Sequence, residues 1–135
     1  MFFYKKIDSI KCKKFNLRGT KFNDKRLSFG LYGLKSLETG RLSENNIDTC
    51  VAAMRRKLKP LGGQLWVRLN PSISVTKKAS SVRMGKGKGP IDRHIAFVRK
   101  GQILFEITVL NTATAVGILE LGASKIPMRT RFISY

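Results

Sequence analysis

The segment between Asp48 and Asp92 contains ten cationic residues and no acidic one. The cations are Arg55, Arg56, Lys57, Lys59, Arg68, Lys77, Lys78, Arg83, Lys86 and Lys88. Without counter-charges these side chains cannot form a network of surface ion pairs, so they must face solvent or an anionic partner. Over the whole chain of 135 residues, 27 Lys and Arg against 8 Asp and Glu give a formal charge of +19. A compact domain with that surplus repels itself unless a polyanion neutralises it, so we predict a nucleic acid partner.

A second basic block occupies residues 1–26, which we predict to form an N-terminal arm. Its candidate RNA-binding cations are Lys11, Lys13, Lys14, Arg18, Lys21 and Arg26. Phe and Tyr residues at positions 2, 3, 4, 15 and 22 are interleaved with these cations. Cations bind phosphates and aromatic rings stack on unpaired bases, so the combination favours contact with RNA. The alternative is that the rings dock the arm onto its own domain, because aromatic side chains are strong packing anchors.

Residues 27–135 are predicted to form a single domain of the α+β class, because an apolar content of 42% suffices for one core. The residue pattern predicts strands at 27–34, 64–69, 91–98, 103–109 and 128–134. We expect a mainly antiparallel sheet with two helices packed on one face. The glycine within 99–102 predicts a hairpin between two of these strands. In the first strand, Gly30 and Gly33 indicate that another backbone approaches closely.

The first helix is predicted to begin after Ser43, a favourable N-cap, and to end before Pro60. Its apolar residues recur at helical spacing and are predicted to face the core. They are Ile47, Val51, Met54 and Leu58. A second helix is predicted over 112–125. On the strand between the helices, Trp66 either packs half-buried or stacks on a base, and the sequence leaves both alternatives open.

Residues 70–90 are predicted to form a long functional loop, because they have few bulky apolar residues and no sustained periodicity. Residues 83–89 at its tip read RMGKGKG. Glycines at alternate positions let a backbone approach a phosphate chain closely and offer its N–H groups. The intervening lysines supply point charges, and Arg83 supplies a planar fork for phosphate or guanine.

Nucleotide-dependent and metal-dependent chemistry is disfavoured. The loop lacks the Walker pattern, and Pro90 stands where that pattern requires a helix to begin. Cys12 and Cys50 are far apart in sequence and His94 is the single histidine, so a zinc site lacks ligands. No apolar stretch is long enough to span a bilayer. We therefore predict a non-enzymatic protein without a cofactor and without membrane contact.

Five blocks of sequence occur in a familiar order. They are LSFGLYGLKS at 27–36, GRLS at 40–43, QLWVR at 64–68, SVRMGKGKG at 81–89 and KIP at 125–127. Together they resemble the bacterial-type large-subunit ribosomal protein numbered sixteen. The resemblance extends from residue 11 to residue 133, and the block at 82–89 is far more specific than a lone glycine motif.

The resemblance implies a structural protein of the large ribosomal subunit that binds large-subunit rRNA beside neighbouring ribosomal proteins. In that family, the loop matched here helps to position tRNA in the A and P sites near the peptidyl transferase region. Its residues in this chain are Arg83, Gly85, Lys86, Gly87, Lys88 and Gly89. The family's arm, matched by residues 11–26, threads along rRNA. Further candidate RNA contacts are Arg41, Arg55, Arg56, Lys77 and Lys78.

Two expectations concern setting and role. A composition rich in Phe, Lys, Ile and Asn, and an intact Met1 with no visible presequence, resemble organelle-encoded members. We therefore expect a mitochondrial ribosome in the matrix, with the bacterial cytoplasm or the plastid stroma as alternatives. The alternative function is a free-standing RNA-binding factor for translation or ribosome maturation.

Overall fold

The computed structural model of this chain describes Lys11 and residues 26–135. Within that part the strands are β1 (Tyr32–Ser36), β2 (Gly40–Ser43), β3 (Gln64–Val67), β4 (Ile73–Thr76), β5 (Ile91–Val98), β6 (Ile103–Thr108) and β7 (Thr130–Ser134). The helices are α1 (Glu44–Leu58) and α2 (Thr112–Ala123), and a short 3-10 helix (Lys59–Leu61) follows α1. These elements confirm the predicted α+β class.

The described strands form two antiparallel sheets. The larger sheet has the order β3-β6-β1-β7, and the smaller has the order β2-β5-β4. Helix α1 packs on α2 and on strands of both sheets, whereas α2 packs on β1 and β7. Fully buried side chains of both sheets, including Phe105 and Ile107 of β6 and Leu42 of β2, fill the core beneath the helices. The expected single sheet is therefore divided in two.

The predicted hairpin through 99–102 is wrong, because β5 and β6 belong to different sheets. The turn itself forms, with Gly101 at a φ of 90°. Its hydrogen bonds, however, go to the end of β1: the Gly101 N–H donates to the Ser36 carbonyl at 2.8 Å, and the Ser36 N–H donates to the Gln102 carbonyl at 2.9 Å. A local glycine signal predicts that the chain turns, but which strand the turn pairs with depends on tertiary contacts.

Helix α1 begins and ends where the sequence predicts. The Ser43 hydroxyl accepts a hydrogen bond from the Asn46 N–H at 3.3 Å, which satisfies one of the unpaired N–H groups of the first turn. The four predicted core residues are all buried. At the far end, Pro60 lies in the 3-10 helix and Gly62 takes a left-handed φ of 65°, which terminates the helical path.

Helix α2 lies close to α1 because glycine occupies the contact point. A Cβ atom on Gly122 would lie 2.7 Å from Sδ and 3.1 Å from Cγ of Met54. At the same contact the Cys50 thiol donates to the Gly122 carbonyl at 3.0 Å. Burial raises the pKa of Cys50 to about 11, although the charge of Lys125 acts to lower it. Cys50 therefore stays protonated and serves the core.

The predicted loop 70–90 contains a strand that the sequence does not reveal. Residues of β4 pair with β5 from Ile73↔Ile95 to Thr76↔Ile91. Four residues are too few for a period to stand out in the sequence. The strand forms because it pairs with β5, and such pairing depends on context more than on local propensity. The irregular part is thus 77–90, the connection between two adjacent antiparallel strands.

In the described part, no helix is long and apolar enough to cross a membrane.

Candidate nucleic-acid interface

The loop 77–90 is closed at its base by contacts within the chain. The Lys77 N–H donates to the Pro90 carbonyl at 3.1 Å, next to the last pairs of β4 and β5. A Cβ atom on Gly89 would lie 2.8 Å from the Lys77 carbonyl oxygen, so glycine permits this close approach. The Lys78 ammonium also donates to the Gly85 carbonyl across the loop. The two lysines predicted to bind RNA here thus also shape the loop.

The tip of the loop is exposed and has a left-handed backbone. Every residue from 81 to 88 is exposed, and Met84 is 100% accessible. Gly85, Lys86 and Gly87 have φ angles of 104°, 53° and 78°. Nothing lies within 4 Å of a Cβ atom built on Gly85 or Gly87, so these glycines are required by backbone conformation rather than by space. The predicted side-chain-poor tip is therefore present, and its lysines face solvent.

Lys11, one of the two described residues of the predicted arm, meets the loop. The Lys11 ammonium donates to the Lys88 carbonyl at 3.3 Å and is exposed. Arg26, also exposed, is the first residue of the continuously described part. Four other predicted arm contacts lie outside the described residues, namely Lys13, Lys14, Arg18 and Lys21.

A buried carboxylate fixes the segment that follows the arm. The N–H groups of Ser28, Phe29 and Gly30 donate to Oε2 of Glu106 at 3.0, 2.7 and 2.9 Å. Arg68 donates to Oε1 of the same carboxylate at 2.5 Å. These bonds draw residues 28–30 over β6, where a Cβ atom on Gly30 would lie 2.7 Å from the Ile107 carbonyl oxygen. The predicted close backbone approach at Gly30 is confirmed, although β1 itself begins at Tyr32.

The environment of Glu106 keeps it ionised. Burial acts to raise its pKa, but three backbone N–H donors and the Arg68 guanidinium outweigh burial, so the pKa of Glu106 lies below its usual value. This residue was missed in the sequence analysis. A usable signal was present, because Glu106 is the only charged residue of β6, in which all the other residues except Thr108 are apolar.

A second cationic surface lies at the C-terminal end of α1. Arg56 and Lys59 are exposed there, and Arg55 is half-buried. With Trp66 they line an open groove of about 730 Å³ between α1 and β3. Loop 77–90 leaves the smaller sheet near the start of α1, where His94 of β5 lies 3.7 Å from Glu44. Arg56 is about 18 Å along the helix axis from Glu44, so the cations at the end of α1 lie at the opposite end of that helix from the base of the loop.

Arg41 lies on β2 of the smaller sheet. Its guanidinium lies 5.3 Å from the centroid of the Phe97 ring on the neighbouring strand β5. The cation is exposed, and its contact with the ring orients it.

The described residues include no group of three or more potential metal-ligating side chains. The buried thiol of Cys50 and the buried carboxylate of Glu106 both have hydrogen-bond partners within the fold. The exposed surface described here thus offers cations, backbone N–H groups and aromatic rings, which are the groups that bind phosphates and bases.

Comparison with known proteins identifies the family. Residues 4–133 match the family described as Ribosomal protein L16p/L10e. Large ribosomal subunit protein uL16 of Mesorhizobium japonicum is 42% identical over 120 residues, which cover 89% of this chain and 87% of that protein. The uL16 proteins of Rhodopseudomonas palustris and Borreliella burgdorferi are 37% and 39% identical over 130 and 129 residues, covering 96% of this chain in each case and 94% and 93% of those proteins. The resemblance seen in the sequence is thus confirmed, and the chain belongs to the L16p/L10e family of ribosomal proteins.

Proposed function

We propose that this ribosomal protein holds RNA with the loop 77–90 and helps to position tRNA in the A and P sites near the peptidyl transferase region. As a member of its family, the chain is a structural, non-enzymatic constituent of the large ribosomal subunit, with rRNA and ribosomal proteins as partners. One observation carries the proposal for the loop: an exposed tip with three consecutive left-handed residues stands on a base closed by its own hydrogen bonds.

The chemistry of the tip suits a phosphate chain. Arg83, Lys86 and Lys88 supply positive charge, and no acidic residue occurs between Asp48 and Asp92 to compete for them. Gly85 and Gly87 leave the backbone uncovered, so phosphate oxygens can reach its N–H groups. Ordering an exposed segment costs roughly 1 to 2 kcal/mol per residue in backbone entropy, so the closed base lowers the cost that RNA binding must offset.

The remaining predicted contacts serve to anchor the protein. In this proposal the arm, residues 1–26, and the domain, residues 27–135, both bind rRNA. The anchoring cations are Lys11, Lys13, Lys14, Arg18, Lys21, Arg26, Arg41, Arg55, Arg56, Lys77 and Lys78. The base of the loop and the cations at the end of α1 lie at opposite ends of that helix, which supports contact with two RNA segments rather than one.

The test is a double substitution at the tip, Arg83→Ala with Lys86→Ala. We expect large subunits to keep the variant at near-normal occupancy, because its anchoring cations are intact, while the rate of peptide synthesis falls severalfold. The matched control is Arg99→Ala with Lys100→Ala, which removes two exposed cations from the turn after β5. Loss of the tip variant from the subunit, with retention of the control, would instead make the loop an assembly element.

The free-standing factor is the competing function. A constituent of the subunit sediments with large subunits in a one-to-one ratio, whereas a factor is found there only in part. Quantifying the chain against other large-subunit proteins across a sucrose gradient distinguishes the two.

We propose a mitochondrial ribosome as its location, on the basis of a composition rich in Phe, Lys, Ile and Asn. The relatives reported above are bacterial, so the bacterial cytoplasm is the alternative that they support. Cofractionation of the chain with mitochondrial large subunits after organelle purification decides between the two.

A further inference from the structure

We propose that an aromatic platform made of Phe29, Trp66 and Arg68, together with the groove beside α1, binds an unpaired RNA nucleotide by stacking. The inference rests on the proposed RNA-binding function but concerns a different surface from the loop tip. It extends the base-stacking alternative that the sequence leaves open for Trp66 to Phe29 and Arg68.

The platform displays a flat ring at the surface. The Phe29 ring stacks on Trp66 with centroids 6.3 Å apart and an interplanar angle of 20°. The Arg68 guanidinium carbon lies 5.3 Å from the centroid of the same ring. Trp66 and Arg68 are two residues apart along an extended segment, so their side chains lie on the same side of it. The Phe29 ring therefore contacts both of them. Phe29 still keeps 61% of its surface accessible.

The ring is held in place from below. The Phe29 N–H donates to Glu106 at 2.7 Å, and the N–H groups on either side of it donate to the same oxygen. Arg68, which packs on the ring, is itself paired with that carboxylate. The ring is therefore pre-organised, and a base that stacks on it meets a surface that needs little further ordering.

The groove next to the platform fits a nucleotide in size and charge. Its volume of about 730 Å³ lies within the range of small-molecule sites. Leu58 and Leu65 provide apolar walls, and Trp66 also lines the groove. The charged lining residues are all cations, namely Arg55, Arg56 and Lys59.

This combination favours a single-stranded ligand. A flat aromatic surface beside cations matches a base attached to a phosphate, and bases are available for stacking only where the RNA strand is unpaired. Duplex RNA keeps its bases inside the helix, so it presents phosphates but no stacking face to Phe29.

The test compares single-stranded and duplex RNA on the full chain. The probes are an oligoadenylate of about twelve nucleotides and a duplex with the same number of phosphates. We expect Phe29→Leu to weaken binding of the oligoadenylate by about tenfold, since it removes a stacking contact. Duplex affinity and the salt dependence of binding should stay unchanged, because the substitution removes no charge. Tyr135→Leu, at a ring that is 91% exposed elsewhere, is the matched control and should change neither affinity.

A second readout reports the site directly. Trp66 is the only tryptophan in the chain, so quenching of its fluorescence by oligoadenylate places a base close to Trp66. Equal melting temperatures of the wild type and Phe29→Leu establish that the variant is folded. An unchanged oligoadenylate affinity in Phe29→Leu, or unquenched Trp66, would overturn the proposal.

Two further outcomes separate this proposal from its rivals. In one outcome, polyglutamate quenches Trp66 and displaces oligoadenylate at a lower concentration than duplex RNA needs to displace it. That result would identify an acidic protein segment as the ligand and overturn the RNA assignment. If Phe29→Leu behaves as the wild type while Arg83→Ala with Lys86→Ala still impairs peptide synthesis, the platform proposal fails and the proposed loop function stands.

Discussion

Glu106 shows how one side chain connects the N-terminal segment to the sheet. Its carboxylate receives three consecutive backbone N–H groups and the Arg68 guanidinium, although the residue is fully buried. Removing a single partner from such a buried pair leaves the other partner without compensation, which costs far more than removing an exposed ion pair. The position of Phe29 therefore depends on the charge of this carboxylate.

We expect Glu106→Gln to lower the free energy of unfolding at pH 7 by about 3 kcal/mol. The folded-state pKa of Glu106 lies below its unfolded value of about 4.3, so its contribution is present above that pH and is lost as pH falls through the folded pKa. The stabilities of the wild type and the variant should therefore converge in acid. Urea unfolding at neutral pH and near pH 3 measures both effects, and Glu120→Gln on the exposed side of α2 is the control.

At the scale of the elements, what could be predicted depends on whether the signal is local. The bounds of α1 follow from Ser43 and Pro60, because a cap and a breaker act on adjacent residues. Strand β4 and the division into two sheets could not be predicted, since pairing between distant strands sets both. For the site, the exposed glycine tip is evident in the sequence. The platform at Phe29 was not, because it needs Glu106 to fold residues 28–30 over the sheet.

Two glycines of α2 provide a matched pair of substitutions. Gly117 has nothing within 4 Å of a built Cβ atom, so Gly117→Ala should stabilise the protein by about 1 kcal/mol through helix propensity. Gly122→Ala places a methyl group 2.7 Å from Met54 Sδ and should destabilise by about 2 kcal/mol. Chemical denaturation of both variants tests this opposite pair of signs. Two changes of the same sign would contradict the helix contact described here.

For the whole molecule, a charge of +19 makes RNA affinity depend strongly on salt. If about eight phosphates are neutralised, the logarithm of the binding constant should fall with the logarithm of salt concentration at a slope of roughly −6 to −7. Filter binding of the full chain to large-subunit rRNA across a salt series measures this slope. Arg56→Gln with Lys59→Gln should reduce its magnitude by about 1.4 to 1.8, whereas a slope near zero would exclude binding through phosphates.

The hydrogen bond between Lys77 and Pro90 has a consequence for how this fold tolerates change. Since this bond closes the base of loop 77–90 between β4 and β5, the residues of the loop beyond it form an exchangeable segment. Its length and composition can be redesigned without disturbing the hydrophobic core, because the segment is exposed and its two ends are joined by their own hydrogen bond. A chimera that carries a loop tip from another protein on the same closed base would keep the fold of this domain and bind a different nucleic acid surface.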